Sequence, residues 1–287
     1  MTAKVPVALT IAGSDSGAGA GIQADLKTFA ALEVYGVSAI TAVTAQNTLG
    51  VIGAQELEPA MVAAQIDAVA VDLGVDAVKT GMLSSAPIIE VVAERLKALG
   101  LTRLVVDPVI AASSGERLLR ADALDALRRM LLPLALVVTP NAAEAEALSG
   151  LRVRSLEEAR TAAQAIAALG PRYVVVTGGH FGEEATDVLY DGTRFTTLSA
   201  QRIPTRSTHG TGCTYSSAIT AGLSHGKPVD EAVHMAKEYV HGAIAAGFSL
   251  GAGHGPLNHF FRWWREDFQP DHGTGNPRNK AVNGQKG

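Results

Sequence analysis

Gly210, Thr211, Gly212 and Cys213 stand between His209 and Thr214, at the start of an apolar stretch with helical spacing. Glycines ahead of a helix leave several backbone N–H groups unpaired and aimed at one spot. Together with the helix dipole, such groups form an anion site suited to a transferring phosphoryl group. Cys213 falls in the first helical turn, where a partly exposed thiol is expected to have a lowered pKa. The plainer reading of this lone cysteine is a small packed side chain beside a tight turn.

A second group is acidic. Asp107 closes a short apolar run just before Pro108, and Asn141 and Glu144 sit one helical turn apart after Pro140. Oxygen ligands on neighbouring strand ends suit Mg²⁺, which keeps several waters and bridges protein to phosphate. The same spacing also suits a helix cap, with Asn141 at the N-cap and Glu144 as its capping-box partner. A third group is the glycine-rich stretch Gly13, Gly17, Gly19 and Gly21. It reads either as a turn opening a helix or as close backbone approach to a small substrate, with Asp25 turning a carboxylate toward it.

Other chemistries lack their residues. No Gly-Lys-Ser/Thr follows the glycines, so there is no Walker A loop, and the third glycine comes one residue early for a dinucleotide fingerprint. The eight histidines include no His-Glu-x-x-His or Cys-His spacing for zinc, and His234 and His241 share a helix face where packing or solvation explains them. No Gly-x-Ser-x-Gly elbow occurs, and Trp263-Trp264 reads as a surface clasp.

Parallel strands are expected to position these groups. Apolar runs recur at Val7–Ala12, Val37–Val43, Ala77–Lys79, Leu104–Asp107, Leu136–Thr139 and Tyr173–Thr177. Helical spacing fills Gly21–Leu32, Pro87–Leu99, Asp122–Leu132 and Leu156–Leu169 between them. Nearly continuous apolar strands alternating with amphipathic helices predict a mostly parallel sheet covered on both faces. Beyond Gly179, Asp187–Leu198 reads as a hairpin turning at Asp191-Gly192 with type I′ geometry, followed by helices over Thr211–Gly222 and Val229–Ala246. In open parallel sheets ligands bind beyond the carboxyl ends of the strands. The loops after Ala12, Val43, Lys79, Asp107, Thr139 and Thr177 together therefore predict one composite site.

The 287 residues are 47% hydrophobic and 18% charged with a net charge of −4, which excludes a wholly disordered chain and a broad nucleic-acid footprint. A single cysteine fits a reducing, cytoplasmic setting, and no apolar run approaches the roughly 18 residues of a membrane span. Val5–Ala12 has the look of a short signal core, but its continuation into Gly13-Ser14-Asp15 reads as a first strand. One domain over residues 1–267 is expected, with a polar, disordered tail over 268–287.

Assembled, these motifs resemble the ribokinase-like superfamily and, within it, the hydroxymethylpyrimidine/phosphomethylpyrimidine kinases of thiamine biosynthesis. The resemblance runs from about Val7 to Phe261. It is carried by Ile11–Asp15, Ala20–Asp25, Val43–Thr48, Lys79–Met82, Val106–Val109, Thr139–Asn141 with Glu144, Gly178–His180 and His209–Thr214. It implies a three-layer ribokinase-like sandwich and phosphoryl transfer from Mg·ATP to 4-amino-5-hydroxymethyl-2-methylpyrimidine, then to the monophosphate. It also implies a homodimer, and a monovalent cation is a further candidate cofactor.

By the same resemblance, Gln46 pairs with the aminopyrimidine, Asp25 lies nearby, and Gly13, Met82 and Val109 line the pocket. Gly210, Thr211 and Gly212 form the anion hole, with Cys213 where sugar kinases of the superfamily place an aspartate base. Asp107, Asn141 and Glu144 organise Mg²⁺ through water, while Lys237, Thr177 and Thr208 serve the nucleotide. Relatives have lysine where this chain has Thr177, so Lys237 or Lys79 is expected to compensate. The nearest alternative is a pyridoxal kinase on the same fold; a non-catalytic sensor of pyrimidine or nucleotide is the alternative of another class.

Overall fold

The computed structural model describes residues 4–111, 115–116, 118–120, 122–178 and 183–264. Gly179, His180 and the expected tail at 268–287 lie outside the described residues. Strands β1 (Val7–Asp15), β2 (Tyr35–Asn47), β3 (Gly50–Glu56), β4 (Ala77–Thr80), β5 (Leu104–Val106), β6 (Val137–Val138), β7 (Tyr173–Val176), β8 (Glu184–Tyr190) and β9 (Phe195–Gln201) form one sheet. Its order is β3-β2-β1-β4-β5-β6-β7-β8-β9. The six strands from β2 to β7 in that order pair in parallel, and antiparallel hairpins close both edges.

The strands are buried on both faces, as their sequences require. Leu9, Ile11, Leu104, Val106 and Val138 pack under α2 (Pro59–Asp72), α3 (Ala86–Ala98), α4 (Ala123–Ala126), α5 (Ala142–Ser149) and α6 (Leu156–Ala167). Their neighbours Ala8, Val105, Val137 and Val175 face the other way, under α1 (Gly21–Ala31), α7 (Thr211–Ser224) and α8 (Val229–Ala245). This alternation within single strands produces the three-layer, ribokinase-like arrangement. Among the described residues no helix is long and apolar enough to cross a membrane.

Three local expectations need correction. Asp122–Leu132 is not one regular helix: α4 widens into a π-helical turn over Leu127–Leu131 and tightens into a 3₁₀ turn at Leu132–Leu134, where Pro133 cannot continue the bonding. The β8–β9 hairpin exists, but its turn is not type I′. Its strands end at the Tyr190–Phe195 pair, and Asp191 Oδ1 accepts the N–H groups of Thr193 and Arg194, giving a four-residue side-chain-stabilised turn. The β2 and β3 strands form a hairpin of their own, extending β2 beyond the expected Val43 to carry Gln46 over the sheet end.

Candidate active site

A cleft opens at the carboxyl ends of β1, β2, β4, β5 and β6. Its walls include Gly13, Gln46, Met82, Val109, Thr177 and Thr208, the run Gly210–Cys213, and Asp107, Asn141 and Glu144. Thirteen of the fifteen residues singled out from sequence therefore meet in one place. Asp25 and Lys237 do not line it.

The glycine loops build one wall by interlocking. Asp15, 3% exposed, accepts the N–H groups of Gly17, Gly19 and Ala20 at 2.8, 3.1 and 2.9 Å, so the first loop wraps around its carboxylate. His209 Nε2 completes that shell at 2.9 Å from Asp15 Oδ2. Burial alone would raise the Asp15 carboxyl, but His209 and the backbone donors outweigh it and hold it below the usual range. Gly210 has φ +85°, and a Cβ there would collide with the carbonyl oxygen of Gly19. Only glycine lets the second loop approach the first this closely.

That approach aims α7 into the cleft. Thr211 N–H turns back to Thr208 O and Thr214 N–H bonds Gly210 O. Among the described residues the N–H groups of Gly212 and Cys213 make no such bond, and both residues line the cleft. They are the free donors of the anion site.

Beneath it lies a buried charge network. Lys79 and Asp25 are both fully buried and paired at 2.8 Å. Thr10 and Ser217 donate to the same carboxylate at 2.6 and 2.7 Å. The expectation that Asp25 turns toward substrate is thus corrected: its oxygens are consumed inside the core, where it holds Lys79 in place. Burial would lower the Lys79 ammonium, but the hydrogen-bonded Asp25 carboxylate, with Asp107 further off, outweighs that loss and raises it. Asp107 lies 3.9 Å from Lys79 and accepts from Ser216 at 3.1 Å. Lys237 is likewise committed, bonding Asp187 and Ala185 O at 2.8 Å each. It supports Asp187, which accepts Gly178 N–H, rather than reaching the cleft.

Cys213 departs from expectation as well. It is half-buried, yet burial pushes its thiol up to about 12, against the pull of Lys79 and helped by Asp107 and Asp25. The loss of water and the two nearby carboxylates outweigh the Lys79 charge.

Asn141 and Glu144 form the complete capping box of α5, with reciprocal bonds of 3.0 and 2.9 Å. The cap leaves room for a second role. Burial, then the charge of Asp107, pushes Glu144 up to about 8, and burial with Asp25 pushes Asp107 up to about 6. The buried Thr139 hydroxyl on the same wall has no partner among the described residues. Crowded carboxylates with an orphaned hydroxyl fit a cation held here. Among the described residues no group of three or more acidic, histidine or cysteine side chains is placed to enclose an ion.

The family described as phosphomethylpyrimidine kinase matches residues 15–258. The chain belongs to the phosphomethylpyrimidine kinase family. It is 54% identical over 264 residues to the hydroxymethylpyrimidine/phosphomethylpyrimidine kinase of Rhizobium meliloti, covering 91% of this chain and 99% of that one. It is 49% identical over 252 residues to the thiamine biosynthesis bifunctional protein ThiED of Geobacter sulfurreducens, covering 88% of this chain and 51% of that protein. The ADP complex of Bacillus subtilis pyridoxal kinase matches with a TM-score of 0.84 and 43% identity, covering 89% of this chain and 98% of that one. As a member of this kinase family the chain is a phosphotransferase, and its cleft is read below as such.

Sequence reasoning passed over Asp15 and His209 as a pair. Both stand within quoted motifs, but a contact across 194 residues has no signature in a single sequence.

Removing the Asp25 carboxylate leaves a buried ammonium unpaired. Asp25→Ala is expected to destabilise the fold by about 3–5 kcal/mol, read from urea unfolding. Direct contact with substrate would instead change KM at unchanged stability.

Proposed function

We infer that this kinase of thiamine biosynthesis transfers the γ-phosphoryl group of ATP to the hydroxymethyl oxygen of 4-amino-5-hydroxymethyl-2-methylpyrimidine, and then a second group to the phosphate just formed. The observation that carries the reading is that the Gln46 carboxamide and the free N–H groups of α7 open on the same cleft. One suits the edge of an aminopyrimidine and the other a phosphoryl group in transit. The ADP bound to the Bacillus subtilis relative supports an adenine nucleotide as donor.

Phosphoryl transfer passes through a loose transition state and asks mainly for alignment and neutralisation of charge. Gly212 and Cys213 N–H groups meet the developing charge on the transferring oxygens, and Met82 and Val109 keep the flat ring against the wall. Asp107 and Glu144 would hold Mg²⁺ through its water shell, with the Thr139 hydroxyl beside them. When bound, the ion neutralises charge on the polyphosphate. Thr177 and Thr208 bring uncharged hydroxyls to the nucleotide side. A homodimer belongs to the same reading: β3 leaves one edge of the sheet unpaired, with Ile52 79% exposed beside it.

A thiol at about 12 is neutral near pH 7, so Cys213 serves as a small uncharged neighbour rather than a resting thiolate base. The hydroxymethyl proton leaves late in a loose transition state, with no strong base required. Neutrality matters most in the second step, where the acceptor is a phosphate whose second pKa is about 6. A carboxylate about 4 Å from that dianion would repel it by about 4 kcal/mol per unit charge at an effective dielectric near 20.

Mass spectrometry of products from Mg·ATP, the pyrimidine and competing pyridoxal tests the whole reading. Pyrimidine mono- and diphosphate are expected. Pyridoxal phosphate alone would reassign the substrate while keeping the chemistry. Cys213→Ser is expected to keep first-step kcat within about tenfold, whereas loss of a working general base would remove about 10²–10⁴-fold. Cys213→Asp is expected to keep part of the first step and lose the second, and equal losses in both would show that charge is not the reason for cysteine here. Thr177→Lys is expected to lower KM for ATP severalfold by adding an ammonium beside the polyphosphate, read from initial rates at saturating pyrimidine.

A further inference from the structure

The Asp15–His209 contact has a consequence for Gln46. An ionised carboxylate only accepts hydrogen bonds, and Asp15 is held ionised by three backbone N–H groups and His209. His209 Nε2, 2.9 Å away, must therefore carry its hydrogen. The same Nε2 lies 3.5 Å from the Gln46 amide nitrogen, and two N–H donors cannot bond each other. The far end of the amide, Oε1, lies 3.2 Å from Thr44 Oγ1. The Thr44 hydrogen is committed to Ser14 O at 2.8 Å, so its oxygen offers only lone pairs.

Both conflicts vanish with a half-turn about the last bond of the side chain, which exchanges two ends of nearly equal shape. Oε1 then faces the Nε2–H edge of His209, whose single hydrogen goes chiefly to Asp15 and leaves Gln46 the minor share of a three-centre contact, and the NH₂ donates to Thr44. Reciprocal bonds of the Ser16 hydroxyl to Gln46 N–H and C=O, at 2.8 and 2.7 Å, keep the residue's backbone fixed meanwhile.

We propose that Asp15 and His209 are positioning residues that fix the donor–acceptor order of the Gln46 carboxamide, and thereby the direction in which an aminopyrimidine ring lies in the cleft. This rests on the substrate reading above. With Oε1 turned to the N–H edge of His209 and one N–H spent on Thr44, the amide keeps an open lone pair and a free N–H, in a set order. A 4-aminopyrimidine presents a ring nitrogen and an amino hydrogen side by side, so only one in-plane orientation of the ring matches. That orientation decides whether the adjacent hydroxymethyl group points to the anion site or away from it. His209 is joined directly to Gly210, so one short segment sets both the ring's direction and the place of the phosphoryl group. The flat heteroaromatic ring of pyridoxal lacks this adjacent pair and gains nothing from the order.

The test compares kcat/KM for the pyrimidine and for its analogue lacking the 4-amino group. In the wild-type enzyme the amino group is expected to be worth on the order of 10²-fold or more, because its absence leaves amide groups of the site unpaired. In His209→Phe, which keeps a ring but loses the N–H, that ratio is expected to fall below about tenfold, chiefly through KM. His209→Gln, which restores a donor, is expected to recover part of it. Equal losses on both substrates would overturn the proposal, since a merely structural role leaves the ratio unchanged. A ¹⁵N–¹H correlation of the wild-type histidine rings decides independently of any variant's folding. The Nε2–H form of His209 is expected, and a hydrogen on Nδ1 alone would overturn the assignment. Turnover of neither pyrimidine by the wild type would refute the substrate reading, while the ring spectrum would still decide the order of the amide.

Discussion

The Asp25–Lys79 ion pair is the contact on which the site depends. It lies at full burial, where separate charges would be costly and a pair survives only if its remaining bonding capacity is satisfied. Thr10 from β1 and Ser217 from α7 supply that satisfaction, so the pair joins β1, α1, β4 and α7. β1 and β4 run into the cleft at their carboxyl ends, and α1 and α7 begin there. A displaced Asp25 would release the ammonium beneath the anion site and loosen the helix that forms it.

The glycine loops depend on this anchor from above. Asp15 gathers the first loop, Gly210 lets the second approach it, and His209 bonds across the seam. The C-terminal segment adds a further tie. His254 N–H bonds Thr48 O at the tip of the β2–β3 hairpin, and His209 N–H bonds Gly255 O. Gln46, proposed to face the substrate ring, and the α7 residues proposed to receive the phosphoryl group are thus parts of one hydrogen-bonded frame.

Much of this was legible in the sequence because burial on two faces writes itself as continuous apolar strands. Val174–Val176 is such a case, with all three residues fully buried on alternating sides. β3 was not legible, since none of its residues is buried and no alternation of polarity results. α2 buries only Val62 and Ile66, and its alanines blur any apolar stripe. Motif position placed most of the cleft's residues correctly, but it could not say where a side chain's bonds were already spent. Asp25 and Lys237 carry the right charge at the right level of the sheet, yet Ser217 and Asp187, 192 and 50 residues away, engage them elsewhere.

The distribution of charge explains why a lone cysteine tolerates so acidic a floor. Asp107 and Glu144 on the cleft wall and Asp25 beneath it crowd around the buried ammonium of Lys79. A further carboxylate at position 213 would enlarge an imbalance that already pushes Asp107 and Glu144 toward their protonated forms. A thiol held neutral by the same surroundings adds no charge, fits the first turn of α7 and leaves the N–H of Cys213 free for phosphoryl oxygens. The negative floor is suited to attract a divalent cation and the positive helix end to receive an anion. In the proposed reaction a metal-bound nucleotide would carry both charges into the cleft.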